Sequence, residues 1–265
     1  MTSVAVPTRV SGVEVSVVGE GLPVTVFAHG LGGSSVETRP LAIRTPGTRV
    51  LLTFRGHGNS DVIEGGWTYD DLADDLAAVA DAFGATAAVG LSLGAGALLR
   101  LLSRDPDRFE RVAFVLPAAL DESRDDLATA RLLRLADALI AGDEEQVVLL
   151  LLDDVPPAVR SRGGTKLLVD RRARQLMGTT PPYPRGTDSP LTDLSVLSRV
   201  TTPALVVGQL DDSLHPSTVA ERLVDALPQA ALVLLAAGGV FWTETRRVQD
   251  ALAAHLSPDA APTSR

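Results

Sequence analysis

Val89-Gly90-Leu91-Ser92-Leu93-Gly94-Ala95-Gly96 decides the fold. The stretch reads as the end of a buried strand, one exposed serine and the first turn of a helix. Its core has the form Gly-x-Ser-x-Gly. Small residues two before and two after the serine allow a strand to turn abruptly into a helix, because a Cβ there would clash in so tight a bend. The serine then sits at the tip with its hydroxyl lifted above the sheet. Unpaired N–H groups and the helix dipole behind it favour a developing negative charge. The pentapeptide alone would also suit an ordinary strand-to-helix turn with a serine cap. Its flanks favour the nucleophile: Thr86 to Val89 is a short apolar run, and Leu93 to Leu102 is an Ala/Leu-rich helical run closed by Arg104-Asp105-Pro106.

Working outward, strand and helix patterns alternate. Val13 to Val18, Val24 to Ala28, Arg49 to Phe54, strand 86–90 and Arg111 to Leu116 read as strands. Thr68 to Phe83 is helical, with Leu72, Leu76, Val79 and Phe83 on one face opposite a solvated row of aspartates. The alternation argues for a parallel sheet covered on both faces. From about Leu120 to Pro190 no strand pattern appears. Ser123 to Ala141, Asp143 to Leu152 and Lys166 to Met177 look helical, punctuated by Pro156-Pro157, Gly163-Gly164 and Thr179 to Pro184. A helical lid over residues 120–190, inserted into a single domain spanning 1–265, is the simplest reading. Strand pattern resumes at Pro203 to Gly208 and at Ala231 to Ala236, each followed by a helix, Ser217 to Leu227 and Glu244 to Leu256.

Composition narrows the chemistry. The net charge of −9 gives no attraction to a phosphate backbone, which argues against nucleic acid as a partner. The absence of cysteine excludes disulfides, thiolate nucleophiles and cysteine metal sites, and four scattered histidines do not make a metal cluster. No apolar run reaches membrane-spanning length, and Met1 to Arg9 lacks the apolar core of a signal peptide. The expectation is a cytoplasmic protein acting on a small molecule, without membrane contact, metal or cofactor. The tail from Ser257 to Arg265 is expected to fray.

Taken together, these signals resemble the α/β-hydrolase family over about Val13 to Leu256. His29-Gly30 after the third strand is similar to the family's oxyanion loop, and Gly56-His57-Gly58-Asn59-Ser60 to the Gly-x-Gly-x-Ser turn after its fourth strand. The resemblance implies an α/β fold with a mostly parallel twisted sheet and helices on both faces. It implies Ser92 as nucleophile, the N–H groups of Leu31 and Leu93 as oxyanion donors, and Asp212 as the acid, with Asp211 the alternative. The chemical logic is general: a serine hydroxyl needs a base to take its proton, and the tetrahedral oxyanion needs donors already aimed at it.

One element departs from the family. Its base is a histidine after the last strand, where this chain reads Gly238-Gly239-Val240-Phe241-Trp242. Val240 stands where the histidine would fall, so a degenerate triad without its usual base is expected. His215 is the best substitute, on the same rim as Asp212, although three residues is a short reach. His29 is read as an organiser of the loop that starts at Gly30, His57 as the holder of a turn, and His255 as a surface residue. Val240, Phe241 and Trp242 would line an apolar pocket floor, with packing an equal reading for Trp242, and Arg171, Arg172 and Arg174 read as exposed charge. The expected activity is that of a carboxylesterase-like serine hydrolase on a small to mid-sized apolar substrate. The alternative is a non-hydrolytic member, such as a lyase, isomerase, cyclase or ligand-binding protein, using the same pocket.

Overall fold

The computed structural model describes residues 8–122, 126–177 and 189–258. The expected helix start at Ser123, the turn at Thr179 to Pro184 and the tail beyond residue 258 lie outside them. Eight strands form one sheet in the order β1-β2-β4-β3-β5-β6-β7-β8. They are β1 (Thr8–Val10), β2 (Val13–Val18), β3 (Val24–Ala28), β4 (Thr48–Thr53), β5 (Ala87–Leu91), β6 (Arg111–Val115), β7 (Ala204–Gln209) and β8 (Ala230–Leu235). The pairs β1/β2 and β2/β4 are antiparallel; every pair from β4 across to β8 is parallel. This is the α/β-hydrolase arrangement that the resemblance implies.

The central strands are largely apolar because both of their faces are covered. Every residue of β5 and β7 is buried. Alternation along the strands divides the core into two. Val26, Ala88 and Phe114 face α2 (Tyr69–Phe83), α3 (Leu93–Arg104) and α8 (Ser217–Ala226), packing with Leu76, Leu98 and Leu223. Phe27, Val89 and Val115 face α1 (Ser35–Ala42) and α9 (Thr245–His255), packing with Leu41, Val248 and Leu252. The expected strand and helix positions hold to within a few residues at either end. The exceptions are short: β1, two helical turns at Pro157–Arg160 and Leu194–Arg199, and α1, whose Pro40 and polar first turn hide its period. Thr68 is the N-cap of α2 and exchanges hydrogen bonds with Asp71, so the helix begins one residue later than its periodicity suggests.

Between β6 and β7 the chain is helical, as expected: α4 (Asp126–Ala141), α5 (Glu144–Asp153), α6 (Pro157–Arg160) and α7 (Gly163–Met177). This insert has small cores of its own. Ala138, Val147, Leu150 and Ala173 form one, and Val155, Val159 and Val169 form another. Trp242 packs against the second, and a Cβ on Gly238 would meet the Pro156 ring at 2.0 Å. Trp242 therefore serves as a seam between sheet and insert. Two surface readings need correction. His255 is buried and its Nε2 lies 2.9 Å from the Val112 carbonyl, to which it donates. Asp75, in the aspartate row of α2, is also buried, accepting from the Arg55 N–H and guanidinium.

The parallel strands all end on one edge of the sheet. β3 delivers the His29-Gly30 loop there, β5 delivers Ser92, and β7 delivers the Asp211-to-His215 loop. Ligand chemistry in open α/β sheets gathers at this edge.

Candidate active site

The elbow has the geometry read from its glycines. Ser92 holds φ 49° and ψ −105°, a conformation that L-residues adopt only under constraint. A Cβ at Gly90 would lie 2.4 Å from the Gly94 carbonyl oxygen, and one at Gly94 would lie 2.4 Å from that of Ala28. Ser92 N–H donates to Val115 O at 2.9 Å and Gly94 N–H to His29 O at 3.0 Å, tying the bend to β6 and to the loop after β3. Ser92 is partly exposed at the tip.

The imidazole missing from the usual place reaches the serine from another loop. His215 Nε2 lies 2.9 Å from Ser92 Oγ, and His215 Nδ1 lies 2.9 Å from Asp212 Oδ2. Of the four histidines, the one in contact with Ser92 is His215, the substitute that the sequence offered first. The short reach from residue 212 to 215 is solved by the Asp212 carboxylate itself. Asp212 Oδ1 accepts the backbone N–H groups of Leu214 (2.9 Å) and His215 (3.0 Å), which curls the loop so that the ring turns back onto Oδ2. Asp211 takes φ 55° to start the turn, a conformation that aspartate tolerates better than most residues. Between the two aspartates, the one touching His215 is Asp212.

Electrostatics favour an ionised acid. Burial alone would raise the Asp212 carboxyl. Hydrogen bonds and charge from His215, together with donors from Gln209 and Leu214, outweigh it and hold the group well below the usual carboxylate range. An ionised Asp212 can only accept, so His215 Nδ1 carries a hydrogen; in the neutral ring that leaves Nε2 to accept from the serine hydroxyl.

Val240 is fully buried in the α9-side core, among Leu235, Val248 and Leu252. It does not line an open pocket floor. Gly239–Thr243 forms a single π-helical turn there. The Val240 N–H donates to Gln209 Oε1 at 3.3 Å, while Gln209 Nε2 donates to Asp212 Oδ2 at 2.7 Å. One amide thus links the loop that lacks the histidine to the acid that holds its substitute. No sequence signal marked Gln209 beyond a polar residue closing a buried strand.

The loop after β3 is ordered from within by His29. The Phe54 N–H donates to His29 Nε2 at 3.0 Å, which leaves the ring hydrogen on Nδ1, 2.7 Å from the Gly30 carbonyl. His57 stacks edge-on at 4.9 Å and donates through Nδ1 to Arg55 O at 3.3 Å. Trp67 closes the group, fully buried beside His57 and Tyr69. Among the described residues, neither the Leu31 N–H nor the Leu93 N–H has a protein acceptor.

Both loop histidines are neutral, and acid should cost stability for that reason. Burial lowers His29 to about 4; burial, then the neighbouring His29, lowers His57 to about 3. The unfolded chain therefore binds more protons than the folded one between the ordinary histidine range and these values. Stability is full above about pH 6.5 and falls as pH drops toward 4, by roughly 3 kcal/mol for His29 alone. Thermal melts between pH 7.5 and 4.5 should show the loss, and His57→Gln should flatten it. A melting temperature unchanged over that range would contradict the neutral assignment.

The alpha/beta hydrolase family profile matches residues 25–254. Among curated proteins, the chain is similar to the 2-(acetamidomethylene)succinate hydrolase of Mesorhizobium japonicum, at 35% identity over 97 residues. That match spans only 35% of either protein. Among solved structures it is similar to a thermophilic esterase from Thermogutta terrifontis (TM-score 0.76, 18% identity, 94% of this chain and 97% of that one). A hydrolase from Pseudomonas aeruginosa superposes with TM-score 0.75 at 24% identity, covering 92% and 94%. A meta-cleavage product hydrolase from Pseudomonas fluorescens does so with TM-score 0.73 at 17% identity, covering 94% and 96%. At these identities the solved structures bear on the fold.

Proposed function

The chain belongs to the alpha/beta hydrolase family, and from that premise we propose that it is a serine hydrolase whose base has moved onto the loop of its acid. The observation that carries this reading is His215, in hydrogen-bond contact with Ser92 on one side and Asp212 on the other. In the proposed reaction, Ser92 Oγ attacks the carbonyl carbon as its proton passes to His215 Nε2. Asp212 stabilises the imidazolium, and the Leu31 and Leu93 N–H groups take up the oxyanion. The imidazolium then protonates the leaving group, and a water activated by the same nitrogen releases the acyl chain.

The substrate class is a small to mid-sized ester or acyl compound. The leucines and valines of the insert, which serves as a lid in this reading, favour an apolar acyl part. A non-hydrolytic member would suit a site without a base; His215 against Ser92 supports the hydrolytic reading instead. Labelling by a fluorophosphonate and hydrolysis of a p-nitrophenyl ester test the proposal. Both should be present in the native chain and absent in Ser92→Ala. Turnover that survives the substitution would reject it.

A further inference from the structure

Helix α7 lays one face on the loop that carries the Leu31 donor. Its residues 172, 175 and 176 fall at the three- and four-residue spacing of a single stripe. Arg172 Nη1 donates to Gly32 O at 3.1 Å and Nη2 to Leu31 O at 3.0 Å, so its exposed-charge reading is wrong. The same Nη2 lies 3.0 Å from Glu37 Oε1, while Glu37 Oε2 accepts the Gly30 N–H at 2.8 Å. Gln175 Nε2 donates to Ser34 Oγ at 3.0 Å, and Leu176 fills the space that a side chain at Gly32 would need.

These contacts pin the backbone on both sides of Leu31. The Gly30 carbonyl is held by His29 Nδ1 and by the Gly33 N–H at 2.9 Å. In a planar trans peptide the Leu31 N–H points opposite to that carbonyl, so its direction is set. The next two peptide planes are set by Arg172 through the Leu31 and Gly32 carbonyls. Neither dihedral at Leu31 is then free to turn. The ion pair is mostly shielded, with side-chain exposures of 26% for Arg172 and 19% for Glu37, which makes it firmer than an open surface pair.

We propose that Arg172, anchored by Glu37, is a positioning residue for the oxyanion hole, which makes the insert helix part of the catalytic apparatus. This rests on the serine-hydrolase reading above. Arg172 touches no reacting atom; it acts through the orientation of the Leu31 N–H. Its guanidinium is occupied by two carbonyls and a carboxylate, so its charge is spent on the protein.

The test compares the native chain with Arg172→Ala, Arg172→Lys and Glu37→Gln on a p-nitrophenyl ester. It also measures inhibition by a trifluoromethyl ketone, which binds serine hydrolases as a tetrahedral oxyanion, and by the product acid, which does not. Arg172→Ala should lower kcat about 10- to 100-fold, because a small displacement of an oxyanion donor has that effect. KM and product affinity should stay within about threefold. Trifluoromethyl ketone affinity should fall in parallel with kcat. Methylguanidinium added to Arg172→Ala should restore part of the rate. Arg172→Lys should stay slow, since one ammonium cannot span two carbonyls and a carboxylate in a fixed fork. Glu37→Gln, which keeps an oxygen for the Gly30 N–H, gives a milder loss in the same ratio and serves if the alanine variant fails to fold. An unchanged kcat, or equal losses of ketone and product affinity, would overturn the proposal. If the native chain takes no fluorophosphonate at Ser92, the parent reading fails instead.

Discussion

His215→Ala is expected to lower kcat on an activated ester by about 10⁴- to 10⁶-fold, with little change in KM. Among the described residues no other imidazole is bonded to the serine hydroxyl: His29 accepts from Phe54 N–H, His57 Nδ1 faces Arg55 O, and His255 faces Val112 O. What remains is stabilisation by the oxyanion donors, about 10³- to 10⁴-fold over water in comparable enzymes. A second substitution sharpens the result. If the usual position were merely vacant, Val240→His would restore the rate. In this chain that position is sealed in the core, and its backbone N–H is engaged by Gln209. An imidazole forced in among Leu235, Val248 and Leu252 would lack a polar partner, at a cost of about 1–3 kcal/mol. His215→Ala/Val240→His should therefore be no faster than His215→Ala, and it should melt lower. A fast double variant would show that a base at position 240 can serve Ser92 and that His215 is dispensable.

Asp212→Asn should cost about 10⁴-fold in kcat at neutral pH. An amide nitrogen facing His215 Nδ1 makes that atom an acceptor, which moves the ring hydrogen to Nε2, against the serine. The side chain keeps an oxygen for the Leu214 and His215 N–H groups, so the loop should hold its shape. Asp212→Ala removes both functions at once. It should lose more of the rate and also raise loop mobility, seen as faster amide exchange at Leu214 and His215. Equal rates for the two variants, with unchanged exchange, would mean that the acid does not shape the loop. This coupling is particular to an acid and base three residues apart. When they sit on separate loops, the acid orients a ring whose backbone is held by other contacts.

The pattern of residues along the chain was enough to set the architecture. Short apolar runs at β3, β5 and β7, alternating with helices, argue for a sheet covered on both faces, and the spacing of Gly90, Ser92 and Gly94, read with its flanks, argues for a sharp bend. Those are local constraints, and local constraints are written in order along a chain. The loop that carries Asp211 and Asp212 could also be placed, because it follows directly from the end of β7; the preference for Asp212 came from the family resemblance. The rest was decided by distance through space. Whether a ring three residues past the acid reaches Ser92 depends on the side-by-side order of β5, β6 and β7 and on a turn closed by Asp212's own carboxylate. The burial of Val240, its tie to Gln209 and the grip of Arg172 on residues 31 and 32 join segments from 31 to 141 residues apart. Contacts of that kind leave no periodicity in either partner. They arise only when hydrophobic packing has brought the sheet edge and the helical insert together, and unpaired polar groups then settle on whatever partner lies within reach.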